Sequence, residues 1–265
     1  IGRLPALSSL TINSSGSGLI DINSSIGDST SVGVSGAIAV GNTSTTEVEL
    51  SGADYTTTGA QVYTATGGDN TDVLNSATFA TSDAAITFGT ANIALSNGSN
   101  LTVNSTGGAI TIAGIAGHSD ETVTISADDA IADGGEGDST TETVSLGNVG
   151  DSDHTEIHNL TVTADDGITL TGAIYTSADA TDTGSEGADI VFNDKIIIDG
   201  AVVIDTDNSA NDGAINFSTN TINAEGNNTD SLTLTSGGGT ITMGGIVGGT
   251  AALDSFTVNA DALTI

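Results

Sequence analysis

Short clusters in which an aliphatic residue alternates with threonine recur along the whole chain. Leu101-Thr102-Val103, Ile110-Thr111-Ile112 and Ile241-Thr242-Met243 are examples. Alternate side chains of a β-strand point to opposite faces, so these aliphatic residues face a core and the threonines face outward. Short intervals rich in Gly, Asn and Asp separate the clusters and are typical of turns. No amphipathic helical period is sustained, so the pattern predicts an all-β fold with little or no helix.

Two stretches of the chain are nearly identical, GGAITIAGIAG at 107–117 and GGTITMGGIVG at 238–248. The similarity extends on both sides, so that about 84–128 matches about 213–261. A catalytic loop is rarely copied within one chain, whereas a structural unit often is. We therefore expect residues 1–265 to form one continuous domain with a diverged internal duplication.

The composition limits how thick the core can be. The chain has 36 Gly, one Pro, no Trp and 3% aromatic residues. Short strands at close intervals are compatible with stacked β-sandwiches, a closed barrel or a parallel β-solenoid. Sandwich domains usually contain a buried Trp or Tyr and turn prolines, whereas a solenoid needs only a narrow column of stacked aliphatic side chains. We expect a β-solenoid of about a dozen coils, at roughly 20–25 residues each.

One part of the chain departs from the alternation. Residues 189–192, 196–198 and 201–204 include apolar side chains at consecutive positions. Continuous apolar runs are typical of strands that are covered on both faces. The thickest part of the core is therefore expected there.

The charge excludes several classes of partner. The formal net charge is −32, and Arg3 and Lys195 are the only Lys or Arg residues. Nucleic-acid binding needs many Lys and Arg residues, and anionic membrane surfaces would repel the chain. No apolar run is long enough for a membrane span. Because the sequence starts without Met or a signal peptide, we expect a processed chain or part of a longer one.

Residues 187–208 and 238–265 carry a family resemblance. They read GADIVFNDKIIIDGAVVIDTDN and GGTITMGGIVGGTAALDSFTVNADALTI. Both resemble the β-strand repeats of very large bacterial surface proteins of the filamentous-haemagglutinin and adhesin type. The resemblance implies a right-handed parallel β-helix, a structural or adhesive role and a location outside the cell or at its surface. It implies no catalytic residues.

The acidic loops are the candidate metal sites. Asp205, Asp207 and Asp212 open like a calcium-binding loop, but Ala210 and Asn216 stand where the EF-hand pattern requires Gly and Glu. A second acidic patch surrounds Asp133 and Asp138. We expect solvated loops, with structural Ca²⁺ as the alternative, and no other cofactor.

The histidines offer a further arrangement for a metal. His154 and His158 flank Glu156, and alternate residues of a strand share one face. A weak metal site at these three residues is the alternative to a plain loop.

The residue types in the chain also bear on two other functions, enzyme activity and ice binding. Many β-helical proteins act on polysaccharides, but lyases need basic groups and sugar clefts usually present aromatic platforms, both of which are scarce here. We therefore expect no enzyme activity. Ice binding is the other alternative, because outward Thr-x-Thr pairs resemble those of ice-binding solenoids. The pairs are Thr122/Thr124, Thr161/Thr163, Thr233/Thr235 and Thr240/Thr242.

The two ends of the chain resemble its interior. Ala6–Asn13 is similar to Ala252–Asn259, and both read as interior coils rather than caps. An unpaired edge of a solenoid can accept another strand. The expected partners are therefore another copy of the chain stacked end to end, or adjoining repeats of a longer chain. A surface or a glycan is the further candidate.

Overall fold

The chain folds as a parallel β-solenoid, which confirms the predicted fold class. The computed structural model describes residues 6–28, 31–66, 71–89, 92–128, 142–151, 155–177, 188–207 and 212–265. Over these ranges the structure contains 26 strands and no helix. Twenty-four strands belong to one continuous sheet with parallel pairing, and the remaining two form a small antiparallel hairpin.

The strands are short and follow one another closely. The first thirteen are β1 (Leu10–Ile12), β2 (Gly18–Ile22), β3 (Gly27–Asp28), β4 (Ser31–Val32), β5 (Ile38–Val40), β6 (Thr45–Leu50), β7 (Asp54–Thr57), β8 (Gln61–Tyr63), β9 (Thr71–Val73), β10 (Ala77–Thr81), β11 (Ile86–Phe88), β12 (Ile93–Leu95) and β13 (Leu101–Ser105). The others are β14 (Ile110–Ala116), β15 (Thr122–Ala127), β16 (Thr143–Val149), β17 (Asn159–Ala164), β18 (Gly167–Leu170), β19 (Ile174–Tyr175), β20 (Ile190–Phe192), β21 (Ile196–Ile198), β22 (Ala201–Asp205), β23 (Ile215–Asn216), β24 (Ile222–Ala224), β25 (Ser231–Thr242) and β26 (Ser255–Thr264).

Apart from the β3–β4 hairpin, the strands lie on three faces, and each pairs with its equivalent in a neighbouring coil. The first face stacks β1, β5, β8, β11, the start of β14, the start of β16, β18, β21 and β24. The second face stacks β2, β6, β9, β12, the ends of β14 and β16, β19, β22 and the starts of β25 and β26. The third face stacks β7, β10, β13, β15, β17, β20, β23 and the ends of β25 and β26.

The solenoid makes about nine turns, fewer than the expected dozen. On the first face each turn brings a residue beside one in the previous coil, beginning with Leu10 beside Ile38 and ending with Ile222 beside Val247. Five of the nine turns on this face take 23–25 residues, as expected, but the other four take 26–34. The longest turn joins Ile110 to Val144, which pair although 34 positions separate them.

The core follows the predicted alternation. Ile110 and Ile112 of β14 are buried and Thr111 between them is exposed, and other strands repeat this pattern. The core is not purely aliphatic, however, because aromatic rings stack along the solenoid axis. Tyr55 stacks on Phe79 with 4.8 Å between ring centroids, and Tyr63 stacks on Phe88 with 4.9 Å. Such stacks add to what their buried area contributes.

The expectation of strands covered on both faces was wrong. In the coil formed by β20, β21 and β22, the side chains of Val191, Ile197 and Val203 point outward and are partly exposed. They lie on three different faces, so they do not form one patch. A β-branched residue has a high strand propensity even at an outward position, which accounts for the apolar run without a second layer.

The duplicated sequence does not occupy the same face in both copies. Ile110–Ile112 lies on the first face, whereas its counterpart Ile241–Met243 runs along the third. Leu101–Val103 lies on the third face and Leu232–Leu234 on the second. The second copy is thus displaced by one face throughout, and the three faces accept the same strand-and-turn sequence.

Candidate functional site

Asp205, Asp207 and Asp212 lie at one corner of the solenoid beside β25. The backbone N–H of Asp207 donates to Oδ1 of Asp205 at 2.9 Å. A Cβ atom at Gly237 would lie 2.8 Å from Oδ1 of Asp207 and 2.6 Å from Oδ2 of Asp212. The carboxylates of Asp207 and Asp212 therefore converge on Gly237, whose φ is +48° and whose missing side chain leaves them room.

Burial raises the pKa of Asp205 above its ordinary value. The hydrogen bond from Asp207 N–H opposes this rise, and the negative charges of Asp207 and Asp212 add to it. A cavity of about 330 Å³ opens next to this corner and is lined by Asp207, Thr235, Gly237, Asn259 and Asp261. Carboxylate and amide oxygens are ligands that calcium accepts, so a cation site at this corner stays a prediction.

The other predicted metal ligands are only partly described. Asp133, Asp138 and His154 lie outside the described residues. Glu156 and His158 are partly exposed, on either side of the isolated bridge at Ile157. The arrangement proposed for two histidines and a glutamate therefore stays a prediction.

The sequence did not reveal a tighter acidic cluster on the second face. One carboxylate oxygen from each of Glu47, Glu49 and Asp72 lies within 4.8 Å of the others, and no other group of three acidic or histidine side chains in the described ranges meets this distance. Asp21 stands in register with Glu49, which in turn is in register with Asp72. Like charges directly opposite in a sheet destabilise it. The cluster is invisible in the sequence because only the strand register brings 47–49 next to residue 72.

A second open cavity lies beside this cluster. It has a volume of about 330 Å³ and is lined by Asp72, Leu95, Ser96, His118 and Thr155. Its floor is low because Ala94 and Ala116 follow Asp72 in register on the second face. His118 is exposed at its rim. The cavity thus presents a carboxylate, an imidazole and two hydroxyls to solvent.

Two buried carboxylates have structural partners instead. Glu121 is fully buried and accepts hydrogen bonds from the backbone N–H groups of Gly98 at 3.0 Å and His118 at 2.6 Å. Asp230 accepts from the N–H groups of Gly200 at 2.9 Å and Gly226 at 3.0 Å. These bonds lower the pKa of Asp230, the bond from Gly226 most of all, and partial desolvation opposes them. Both carboxylates hold corners between faces.

The predicted Thr-x-Thr pairs all point outward. Thr161/Thr163 and Thr122/Thr124 lie in neighbouring coils of the third face. Thr240/Thr242 lies further along the same face, and Thr233/Thr235 lies on the second face. The register aligns Thr124 directly with Thr161 and Ser126 with Thr163. The two neighbouring pairs are thus offset by two residues, so the regular array at this place on the third face includes serine and asparagine as well as threonine.

Apolar side chains are exposed along β26. Phe256 is in register with Leu232 and Leu263 with Ile241. Leu232 and Ile241 are fully buried, but Phe256 is 37% and Leu263 43% exposed, because β26 pairs only with β25 among the described strands. The edge of β26 therefore has the side chains of an interior coil.

Comparison with known proteins finds no matching family model, no similar curated protein and no similar solved structure. The fold alone supports the resemblance to filamentous-haemagglutinin-type repeats, and only as far as a parallel β-solenoid built from repeated coils. Within the described ranges, no helix combines the length and hydropathy that a membrane crossing requires.

Proposed function

We propose that the chain is a structural or adhesive section of a repetitive bacterial surface protein and forms a rod outside the cell. The observation that supports this proposal most is the continuous parallel register of about nine turns around one core. Such a stack separates its two ends by a fixed distance and exposes long, regular faces. The location and the bacterial source rest on the resemblance of 187–208 and 238–265 to surface-protein repeats.

Small-angle X-ray scattering and negative-stain microscopy of the purified chain test this proposal. Nine strand spacings of about 4.8 Å give a core roughly 43 Å long. We expect an elongated particle of constant cross-section. A spherical particle, or two lobes of different width, would exclude the rod.

The proposed partners of the chain are inferred from the open edge of β26. It offers unpaired backbone groups together with the exposed side chains of Phe256 and Leu263. Either an adjoining repeat of a longer chain or the first coil of another copy can add a strand there. In the second case, rods lengthen with protein concentration, which sedimentation velocity measures. A single species at all concentrations, with binding to cell surfaces or glycans, would favour the adhesive monomer instead.

We also propose that the rod has no catalytic activity. Lys195 and Arg3 are its only Lys or Arg residues, and the buried carboxylates of Glu121 and Asp230 are engaged by backbone N–H groups. Activity toward a panel of acidic and neutral polysaccharides would contradict this part of the proposal.

A calcium-dependent role is a second candidate, and the cluster of Glu47, Glu49 and Asp72 favours it. Without a cation, the mutual repulsion of these groups opposes folding. We expect the Glu49→Gln variant to be more stable than the wild type by up to about 1 kcal/mol in chelator, because one of the like charges is gone.

Added calcium provides the control for this candidate. It should raise the melting temperature of the wild type more than that of Glu49→Gln. Thr87→Ala on the first face serves as a matched variant remote from the cluster. Equal calcium shifts in wild type and Glu49→Gln would assign the effect to general charge screening.

A further inference from the structure

The third face carries an array of neutral polar side chains, which we name the third-face grid. Over three consecutive coils, two ranks are set by the strand register: Thr102, Thr124 and Thr161, and Asn104, Ser126 and Thr163. The third rank consists of Thr122 and Asn159 in register, with Asn100, one residue before β13, hydrogen-bonded to Thr122. All nine residues are at least partly exposed. The register runs through β13, β15 and β17 without a shift, so the grid has two regular directions.

The grid carries no charge, although the chain has 34 acidic residues. On the second face, by contrast, Asp21, Glu49 and Asp72 occupy successive coils in register. The neutral grid and this acidic row therefore lie on different faces, although the third face also carries Asp54 on β7 and the exposed Asp189 beside Asn159 in the coil that follows the grid. The neutral grid has no electrostatic means of selecting an ionic ligand, and it contains no aromatic ring on which a sugar could stack. Its chemistry is that of hydroxyl, methyl and amide groups at fixed positions.

Three side chains at the edges of the grid are held by hydrogen bonds before any ligand arrives. Asn100 Oδ1 accepts from the N–H of Thr122 at 2.7 Å, and Asn159 Oδ1 accepts from the N–H of Asp189 at 2.9 Å. In the rank of Asn104, Ser126 and Thr163, Oγ1 of Thr163 accepts from Nδ2 of Asn193 at 3.1 Å. Threonine is β-branched and has few rotamers in a strand. Little conformational entropy is therefore lost when the grid binds a rigid partner.

The spacing of the grid is close to that of hydrogen-bonded water. Neighbouring coils are about 4.7–4.9 Å apart, and alternate residues along a strand about 6.6 Å. In a tetrahedral lattice with O–H···O distances of about 2.75 Å, second-neighbour oxygens lie about 4.5 Å apart, and the perpendicular repeat is about 7.3 Å. The mismatch is below roughly 1 Å per step, which a patch of only three coils tolerates.

We propose that the third-face grid binds the surface of ice, with Thr124 at its centre and Thr102 and Thr161 on either side. The hydroxyls take positions of the water lattice and the methyl groups lie in the spaces between. This inference does not rest on the rod's proposed role outside the cell. Its failure would leave the solenoid and that role unchanged.

Ice affinity of the whole chain tests the proposal. A polycrystalline ice surface is grown in a dilute solution of the protein, and the fraction incorporated is compared with that of a protein that does not bind ice. Crystal shape is recorded in the same samples. We expect incorporation and faceted crystals for the wild type. Exclusion of the wild type from ice, with round crystals, would overturn the proposal.

Two lysine variants locate the site. Thr124→Lys places a long charged side chain at the centre of the grid, and we expect it to abolish incorporation. Thr111→Lys makes the same change at an outward threonine of the first face and should leave incorporation unchanged. Equal behaviour of the two variants would contradict the assignment to the third face. Circular dichroism verifies folding, and Thr161→Lys, one coil further, replaces Thr124→Lys if that variant does not fold.

Discussion

Gln61 is a fully buried polar residue on the inner side of β8. Its Nε2 donates to the backbone oxygens of Tyr55 at 2.7 Å and Ala80 at 2.8 Å, and its Oε1 accepts from the hydroxyl of Tyr63 at 3.0 Å. The amide thus joins two neighbouring coils inside the core. A buried polar network stabilises a fold only when all its members are paired, and this one is.

Replacement of Gln61 tests the importance of that network. Gln61→Leu keeps the volume but leaves the oxygens of Tyr55 and Ala80 and the hydroxyl of Tyr63 without this partner. We expect the free energy of unfolding to fall by about 2–3 kcal/mol. Denaturant titration measures the change, and Val62→Ala, at the outward neighbour, should change it by less than about 1 kcal/mol. Equal losses would show that the network contributes nothing specific.

The hydrogen bonds of Asp230 predict how the stability of the fold depends on pH. Its carboxylate accepts from Gly200 and Gly226, and these bonds lower its pKa. Because the pKa is lower in the folded state, its stabilising contribution is present above the ordinary carboxyl pKa near 4 and is lost as the pH falls further. We expect Asp230→Asn to be less stable than the wild type by about 1–3 kcal/mol at pH 7.

The pH dependence of that difference is the diagnostic part. The gap between wild type and Asp230→Asn should narrow when unfolding is measured below about pH 4, since the protonated wild-type side chain then also loses its acceptor charge. A gap that stays constant down to pH 3 would assign the loss to shape rather than to charge.

At the residue level, the sequence predicted inward and outward positions better than polar contacts. Thr111 is exposed and Ile112 buried, as their alternation indicates. The cluster of Glu49 and Asp72 and the partners of Gln61 depend on residues more than twenty positions away or on neighbouring coils. Spacing in the sequence contains no information about those registers.

The strand is the element at which prediction was most successful and also where its limits are clear. Short alternating runs became strands, but Val191, Ile197 and Val203 were assigned to a double layer that does not exist. Strand propensity and burial both favour Ile and Val, so the sequence alone does not separate the two causes. The internal duplication also gave no indication that its second copy occupies different faces.

Strand register can be checked with engineered disulfides, because the chain has no cysteine. Thr111 of β14 pairs with Ser145 of β16. Neighbouring strands lie about 4.8 Å apart, which is within the Cα–Cα range of a disulfide. We expect Thr111→Cys with Ser145→Cys to cross-link under mild oxidation.

The control for this prediction shifts one partner by two residues. Thr143 also lies in β16 and its side chain also points outward, but its Cα is about 8 Å from that of Thr111, beyond the reach of a disulfide. Thr111→Cys with Thr143→Cys should stay reduced, as mass spectrometry under non-reducing conditions would show. Preferential cross-linking of the control pair would place β16 two residues out of register.

For the whole molecule, the sequence predicted the architecture but overestimated the number of coils. The alternation, the abundant glycine and the scarcity of large aromatic residues all favour thin stacked layers over a globular core. The coil count was too high because corner lengths vary, as between Ile110 and Val144, and no pattern in the sequence determines them. The separation of the acidic row on the second face from the neutral grid on the third is likewise visible only in the stack of coils.

Distances between spin labels along the first face test the stack most directly. Along the first face, Thr111, Thr169 and Asn223 lie four, six and eight strand-to-strand steps from Thr11. Cysteine variants labelled at Thr11 and at each of the others should give distances of about 19, 29 and 38 Å, rising linearly with the number of coils. Distances that level off or decrease from Thr111 to Asn223, as in packed sandwiches or a closed barrel, would contradict a single-axis solenoid.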